Sequence, residues 1–175
     1  MGATHRGDES YRVAAVILIG TGAHGMDILS TLDDRQWGTS EHHEADDIDE
    51  GTTYILGIND PQLRDKVRAE MGWDDEAWIH PNAYIGRDCR WRKGTHINYG
   101  VSMIRTTIGH HTTISPGVTI CGDVTIGDRV LIGAGATICD RVTIGDDVTI
   151  GAGAVILPES VIPNGVTASG VPAKW

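Results

Sequence analysis

The second half of the chain repeats with a period of six residues, and this repeat limits the possible folds more than any other feature. Sixteen units run from Ile79 to the C-terminus, and from Ile108 onward each opens with Ile, or with Ala168 at the last site. Small or β-branched residues recur four positions later, as at Val118 and Val124. Such hexads predict a parallel β-helix with three hexads in each coil of 18 residues, so about five coils. The two-residue periodicity and regularly spaced turns of a β-sandwich are missing.

One unit breaks the pattern. The segment "MIRTT", residues 103–107, has five residues where its neighbours have six. Because each hexad must supply an inward aliphatic side chain, we expect Met103 or Ile104 to fill that place while the chain bulges or cuts the corner.

The first half of the sequence has a different organisation. The apolar runs "RVAAVILIG" (12–20) and "TTYILGI" (52–58) suit buried parallel strands, and "MDILSTL" (26–32) suits a short helix between them. A second helix should follow Asp60 as its cap, with Pro61 in its first turn and Gly72 at its end. The sequence therefore predicts a small α/β unit over residues 1–74 and a β-helix over residues 75–175.

Composition restricts the partners and the location. A formal net charge of -10 argues against nucleic acid or an anionic membrane as a partner. No apolar run reaches the length of a membrane span, and we expect no secretory signal. Three cysteines without such a signal favour the cytoplasm. Cys121 and Cys139 lie one coil apart, so their side chains should point the same way and remain free thiols.

Several motifs together resemble one family. The hexads "IGDRVLIGAGATI" and "IGAGAVI", the ending "SGVPAKW", and the N-terminal "ILIGTGAHG" and "GINDPQLR" are similar to sugar acyltransferases of the sialic-acid O-acetyltransferase type (NeuD/PglD-like). The resemblance implies that residues 1–74 form a small, truncated Rossmann-like domain that binds a nucleotide-sugar. It implies that residues 75–175 form a left-handed β-helix acyltransferase domain that assembles into a homotrimer. It also implies acetyl-CoA as co-substrate in a cleft between neighbouring β-helices, a nucleotide-linked sugar as acceptor, a role in surface-glycan biosynthesis, and no metal.

The resemblance also assigns binding residues. Gly22, Ala23 and His24 would contact the nucleotide-sugar, with Asp33 and Asp34 near its base or ribose. A G-x-G-x-x-G spacing at the same loop would alternatively suit NAD, but the strand and acidic residue expected about 20 positions later are missing. The same glycines also suit a tight turn. Contacts to the coenzyme are implied for Thr113, Gly122, Ala134, Ala152 and Lys174.

The irregular hexad is the one in which the family carries its catalytic histidine. Counting from either side places that slot at Ile104 or Arg105, and neither side chain can act as a base. The candidate replacements are His96, His110 and His111. Alternatively no protein base is needed, because a neutral amine is already a nucleophile whereas a sugar hydroxyl is not, and this favours an amino sugar as acceptor.

Two other functions stay open at the level of the sequence. One is a catalytically silent relative that binds a nucleotide-sugar. The other is a metal-dependent β-helix lyase of the γ-carbonic-anhydrase kind, built on the same three histidines, although the expected spacing (two histidines five apart and a third one coil away) is missing.

Overall fold

The computed structural model describes residues 16–19, 53–56, 58–71 and 76–175. Two strands, β1 (Val16–Ile19) and β2 (Thr53–Leu56), form a parallel pair in the N-terminal part. Both lie within the two apolar runs that predicted strands. The helix predicted at 26–32 falls outside the described residues, so the Rossmann-like unit and its boundary with the β-helix stay predictions.

Within the described residues the chain forms a single helix, α1 (Pro61–Met71). It begins as the sequence predicts, because Asp60 Oδ1 accepts hydrogen bonds from the backbone N–H groups of Gln62 (2.9 Å) and Leu63 (3.2 Å). Pro61 occupies the first helical position, where a missing N–H has no cost. The predicted C-terminal Gly72 lies outside the described residues.

Residues 78–174 form a stack of short strands. In chain order these are β3 (Trp78–Ile79), β4 (Tyr84–Ile85), β5 (Arg90–Trp91), β6 (His96–Ile97), β7 (Ser102–Met103), β8 (Thr106–Ile108), β9 (Thr113–Ile114), β10 (Thr119–Ile120), β11 (Val124–Ile126), β12 (Leu131–Ile132), β13 (Thr137–Ile138), β14 (Thr143–Ile144), β15 (Thr149–Ile150), β16 (Val155–Ile156), β17 (Val161–Ile162), β18 (Thr167–Gly170) and β19 (Ala173–Lys174).

Each strand pairs with the strand three places later in the chain, and this pairing produces three parallel sheets. One contains β3, β6, β9, β12, β15 and β18, with β19 added antiparallel at its end; the second contains β4, β7, β10, β13 and β16; the third contains β5, β8, β11, β14 and β17. This is a parallel β-helix of about five coils, as the hexads predicted.

The core is built from the two inward positions of each hexad. Ile120, Ile132 and Ile138 are buried at the first position, and Val124 and Val130 at the second. Because each coil adds the same aliphatic side chains directly above the last, the coils bury one continuous apolar column.

The five-residue hexad shortens one coil by a single residue. Met103 pairs with Ile120, a separation of 17, whereas Ile108 pairs with Ile126, a separation of 18. Met103 is 1% exposed and takes the inward place, while Ile104 is only partly buried. The chain thus cuts the corner between β7 and β8 instead of bulging.

Three corners connect the sheets, and each is a column of residues with positive φ. The glycine corner contains Gly100, Gly117, Gly135 and Gly153; the charged corner contains Asp88, Arg105, Asp123, Arg141 and Glu159; the histidine corner contains Gly94, His111, Arg129, Asp147 and Gly165. Non-glycine side chains are unfavourable in this conformation. In the two polar corners they are tied to one another by ion pairs one coil apart, such as Arg105–Asp123 and Arg129–Asp147.

All three cysteines are free thiols, and Cys121 N–H donates to the carbonyl before Cys139, so the two cysteines lie one coil apart as predicted. Burial, with the nearby Asp140 carboxylate as the next cause, raises the pKa of the Cys121 thiol.

In the described part of the chain, no helix has the length and apolar character needed to cross a bilayer.

Candidate functional site

A pocket of 340 Å³ lies where α1 meets the histidine corner. Its walls carry charge rather than apolar surface: Asp65, Arg68, Lys93, His110, His111, Asp128 and Arg129. Two of these side chains project from α1 and the rest from three successive coils. The pocket therefore exists only because α1 packs against the β-helix.

Arg64 fixes this packing. Its side chain is 0% exposed, and Nη1 donates to the carbonyl of Ile58 (2.7 Å) and to Thr113 Oγ1 (3.0 Å), while Nη2 donates to the carbonyl of His111 (2.6 Å). Thr113 Oγ1 in turn donates to the carbonyl of Asn59 (3.1 Å). The hydrogen bonds hold a buried charge in place, and they join the start of α1 to the strand that follows the histidine corner.

Asp65 is the centre of the pocket's electrostatics. Its Oδ1 lies 3.4 Å from Arg68 Nε and 3.5 Å from His111 Nε2, and its Oδ2 lies 3.9 Å from Arg129 Nη1. Arg129 also donates two hydrogen bonds to Asp147, at 2.7 and 2.9 Å. These bonds raise the pKa of Arg129 and lower the pKa of Asp147, so both remain charged at neutral pH.

The structure brings two of the three candidate catalytic histidines together. The rings of His110 and His111 stack with centroids 6.1 Å apart. His111 is 6% exposed and its ring lies against the Cα of Gly94, where any other side chain would collide with it. His110 is more accessible, and its backbone N–H donates to Asp128 Oδ1 (2.7 Å).

His96, the third candidate, lies elsewhere. It is 0% exposed, pairs in register with Thr113, and its ring packs edge-on against Trp78 at 6.1 Å. The sequence placed His96 and Thr113 in one column one coil apart, and the register confirms that placement. It is a column on the outer face of the sheet, since the next residues, Ile97 and Ile114, point into the core. His96 does not line the pocket.

Arg105, one of the two positions of the family's histidine slot, lies at the charged corner. Its Nε and Nη2 donate to the two carboxylate oxygens of Asp123, at 2.9 and 3.2 Å. These bonds lower the pKa of Asp123 and raise that of Arg105. The guanidinium covers the Cα of Gly122, and the Gly122 N–H donates to Asp140 Oδ1 (2.9 Å). Ile104, the other position, packs over Gly86.

The residues implied for coenzyme contact are spread over the β-helix. Gly122 lies at the charged corner, whereas Ala134 and Ala152 are exposed at the glycine corner, one coil apart, with Gly153 N–H donating to the Ala134 carbonyl (2.9 Å). Lys174 is exposed on β19 at the C-terminal end. Thr113 is buried beneath α1. The single chain does not bring these five residues to one site.

The residues implied for nucleotide-sugar contact, Gly22, Ala23, His24, Asp33 and Asp34, lie outside the described residues. Across the residues that are described, no group of three or more His, Cys, Asp or Glu side chains is arranged to hold a metal ion.

Sequence reasoning missed Arg64 and Asp65. Both lie in the helix that the sequence predicted. The local sequence "LRDK" is typical of the solvent-exposed side of a helix. An arginine within a turn of the helix N-terminus, where cations are disfavoured by the helix dipole, is a weak signal that its charge is satisfied by another element.

The hexads match a known repeat pattern. Residues 105–140 and 123–158 match the bacterial transferase hexapeptide pattern of six repeats. No curated protein sequence matches the chain at a significant level.

Solved structures extend the similarity over both parts of the chain. PerB from Caulobacter crescentus, in complex with CoA and GDP-perosamine, is 26% identical, with a TM-score of 0.71 over 91% of this chain and 96% of that one. An alanine variant of GDP-perosamine N-acetyltransferase from the same organism, with the same two ligands, is 25% identical (TM-score 0.70, covering 91% and 95%). The acetyltransferase domain of PglB from Neisseria gonorrhoeae FA1090 is also 25% identical (TM-score 0.62, covering 91% and 98%). The fold is thus that of the left-handed β-helix acyltransferases.

Proposed function

We propose that this protein transfers an acetyl group from acetyl-CoA to the amino group of a nucleotide-linked sugar destined for a surface glycan. The observation that carries the proposal is the shared fold over 91% of the chain with PerB, whose structure holds CoA and GDP-perosamine. Because the match covers 91% of this chain, it extends beyond the β-helix, and this supports a site for an acceptor as well as one for the donor.

The chemistry needs few protein groups if the acceptor is an amine. The neutral nitrogen attacks the thioester carbonyl, the C–S bond breaks, and the departing thiolate can take up the proton that the new amide loses. A hydroxyl acceptor would need a base to remove its proton as it attacks, and such a base contributes roughly 10²–10⁴-fold. The slot in which the family carries that base holds Ile104 and Arg105 here.

If the protein does supply a base, His110 is the candidate that the geometry favours. It lines the charged pocket and is more accessible than His111 or His96. His111 would then support the stacked ring and hold the corner, while His96 would act only in packing.

The coenzyme is proposed to lie between two protomers. Gly122 and the pair Ala134 and Ala152 lie on different corners of one β-helix, so the charged corner of one protomer must face the glycine corner of a neighbour to form one cleft. A homotrimer provides three such clefts. Lys174, at the open end, would meet the phosphates of the coenzyme. The three free thiols favour the cytoplasm as the compartment.

The experiment is a thiol-release assay with acetyl-CoA and a panel of GDP- and UDP-linked sugars, with and without an amino group. The expected result is release of CoA thiol that depends on an amino sugar and yields the N-acetylated product. His110→Ala should retain most of the turnover on an amine. A loss of 10²-fold or more with coenzyme binding unchanged would instead identify His110 as a base.

A catalytically silent relative is the second candidate, and one observation favours it. The Gly122 N–H, proposed to pair with the coenzyme, already donates to Asp140, and Arg105 covers the same residue. A protein of this kind would bind CoA and a nucleotide-sugar in calorimetry and release no thiol with any member of the panel.

A further inference from the structure

The pocket between α1 and the histidine corner brings three cations together, each held by a carboxylate. Its lining includes Arg68, Lys93 and Arg129 beside Asp65 and Asp128. Glu76 pairs with Lys93 at 3.6 Å, and Asp147 pairs with Arg129 at 2.7 Å. Asp128 is turned toward the backbone, where its Oδ1 accepts the His110 N–H at 2.7 Å. What the pocket offers to a ligand is therefore the N–H donors that these ion pairs leave unused.

Asp65 holds the two arginines on either side of the pocket and leaves donors unused. Arg68 contacts Asp65 through Nε at 3.4 Å, so both of its terminal NH₂ groups remain available. Arg129 uses Nε and Nη2 on Asp147, and its Nη1 lies 3.9 Å from Asp65, which is too long for a hydrogen bond. A guanidinium fixed through Nε by a carboxylate is oriented without being neutralised at its outer edge.

Two oriented guanidinium groups across a polar pocket match one chemical group best. Phosphate oxygens accept the paired N–H bonds of an arginine, and a diphosphate has enough oxygens to accept from two arginines at once. We propose that this pocket binds the diphosphate of a phosphorylated ligand, with Arg68 and Arg129 as the binding residues and Lys93 as a supporting charge.

The diphosphate can come from the acceptor, as part of a nucleotide-linked sugar, or from coenzyme A. This choice of ligand rests on the proposed function, whereas the site itself rests only on the pocket's residues. Binding is therefore measured without turnover. If the protein binds diphosphate through Arg68 but releases no thiol with any acceptor, the proposed site is supported and the proposed acetyltransferase activity is contradicted.

The test is calorimetric titration of the full-length protein with inorganic pyrophosphate. The decisive variant is Arg68→Gln, because Arg68 is partly exposed and contacts only Asp65 among the described residues. The matched control is Lys66→Gln, which removes the same charge from the same helix at an exposed site paired with Glu70. We expect Arg68→Gln to raise the Kd about tenfold or more, and Lys66→Gln to leave it within about twofold.

Equal Kd values for the two variants would overturn the proposal, as would a wild-type protein that binds no pyrophosphate. If Arg68→Gln does not fold, Arg68→Lys replaces it: it keeps the charge but loses the paired donors, so a wild-type Kd for that variant also overturns the proposal. GDP, UDP and CoA are then titrated in parallel. The ligand whose affinity falls with Arg68→Gln is the source of the diphosphate, and no loss for any of them contradicts the site.

Discussion

Arg64 is the residue on which the contact between α1 and the β-helix depends most. Its replacement by Met keeps the apolar length of the side chain but leaves the carbonyls of Ile58 and His111 without their buried donor. We expect Arg64→Met to lower the free energy of unfolding by about 1.5–3 kcal/mol, since its hydrogen bonds are charge-assisted. Urea unfolding at neutral pH measures the loss.

The control for Arg64 is Arg92→Met, which removes an exposed arginine of the β-helix. Its free energy of unfolding should stay within about 0.5 kcal/mol of the wild type, because it lies away from buried networks. Equal losses in the two variants would mean that the buried hydrogen bonds are not what stabilises the contact.

Asp147 links the stability of the histidine corner to pH. Hydrogen bonds from Arg129 lower its pKa from the ordinary 3.8 in the folded state. A carboxylate with a lowered pKa stabilises the fold above its unfolded pKa, and that contribution is lost as the pH falls through the folded value. We therefore expect Asp147→Asn to reduce the difference between the urea midpoints at pH 6 and pH 3.

Asp88→Asn is the matched control for this pH dependence. Asp88 also has a positive φ (59°), which asparagine tolerates, and it lies at the charged corner rather than beside Arg129. It should retain the wild-type difference between the two midpoints. The explanation is wrong if both variants flatten the pH profile equally.

At the scale of the element, the five-residue hexad distinguishes two neighbouring aliphatic residues. Met103 fills the inward column at 1% exposure, while Ile104 is only partly buried over Gly86. We expect Met103→Ala to cost about 2–5 kcal/mol of unfolding free energy, as for other buried large-to-small changes, and Ile104→Ala distinctly less. Thermal and urea unfolding would show the reverse order if Ile104 were the inward residue.

The same hexad shows what sequence reasoning could and could not supply. The period of six predicts the sheets, the inward columns and the cysteine stacking, because each depends only on register. It left Met103 and Ile104 as alternatives, since one dropped residue can be absorbed on either side. Thr106 resolves the choice: it takes the inward position paired with Val124, and its hydroxyl donates to the Ile104 carbonyl at 3.0 Å.

The pocket was harder to predict for a physical reason. His110 and His111 were candidates because they stand at a corner, but Asp65 and Arg68 come from a helix about 40 positions earlier in the chain. Nothing in the local pattern of α1 specifies which turn of the β-helix it packs against. Arg64 decides that contact through three hydrogen bonds to other elements.

At the scale of the whole molecule, the separation of Gly122 from Ala134 and Ala152 on two corners predicts an assembly. We expect a homotrimer, with a mass three times the 18.8 kDa of the chain, by light scattering at micromolar concentration. Exposed apolar side chains such as Val161 and Leu157 on the β-helix would be covered in that state. A monomeric mass would contradict both the trimer and the proposed coenzyme cleft.

The central claim of the proposed function is that the acceptor atom is an amine nitrogen. The measurement compares two acceptors that differ only in one group, the best amino-sugar nucleotide of the panel and its analogue with the amine replaced by a hydroxyl, each with acetyl-CoA. We expect thiol release and an N-acetylated product with the amine, and turnover at least about 10²-fold slower with the hydroxyl, since Ile104 and Arg105 supply no base. Equal turnover of both acceptors, or no turnover of any amino sugar in the panel, would contradict it.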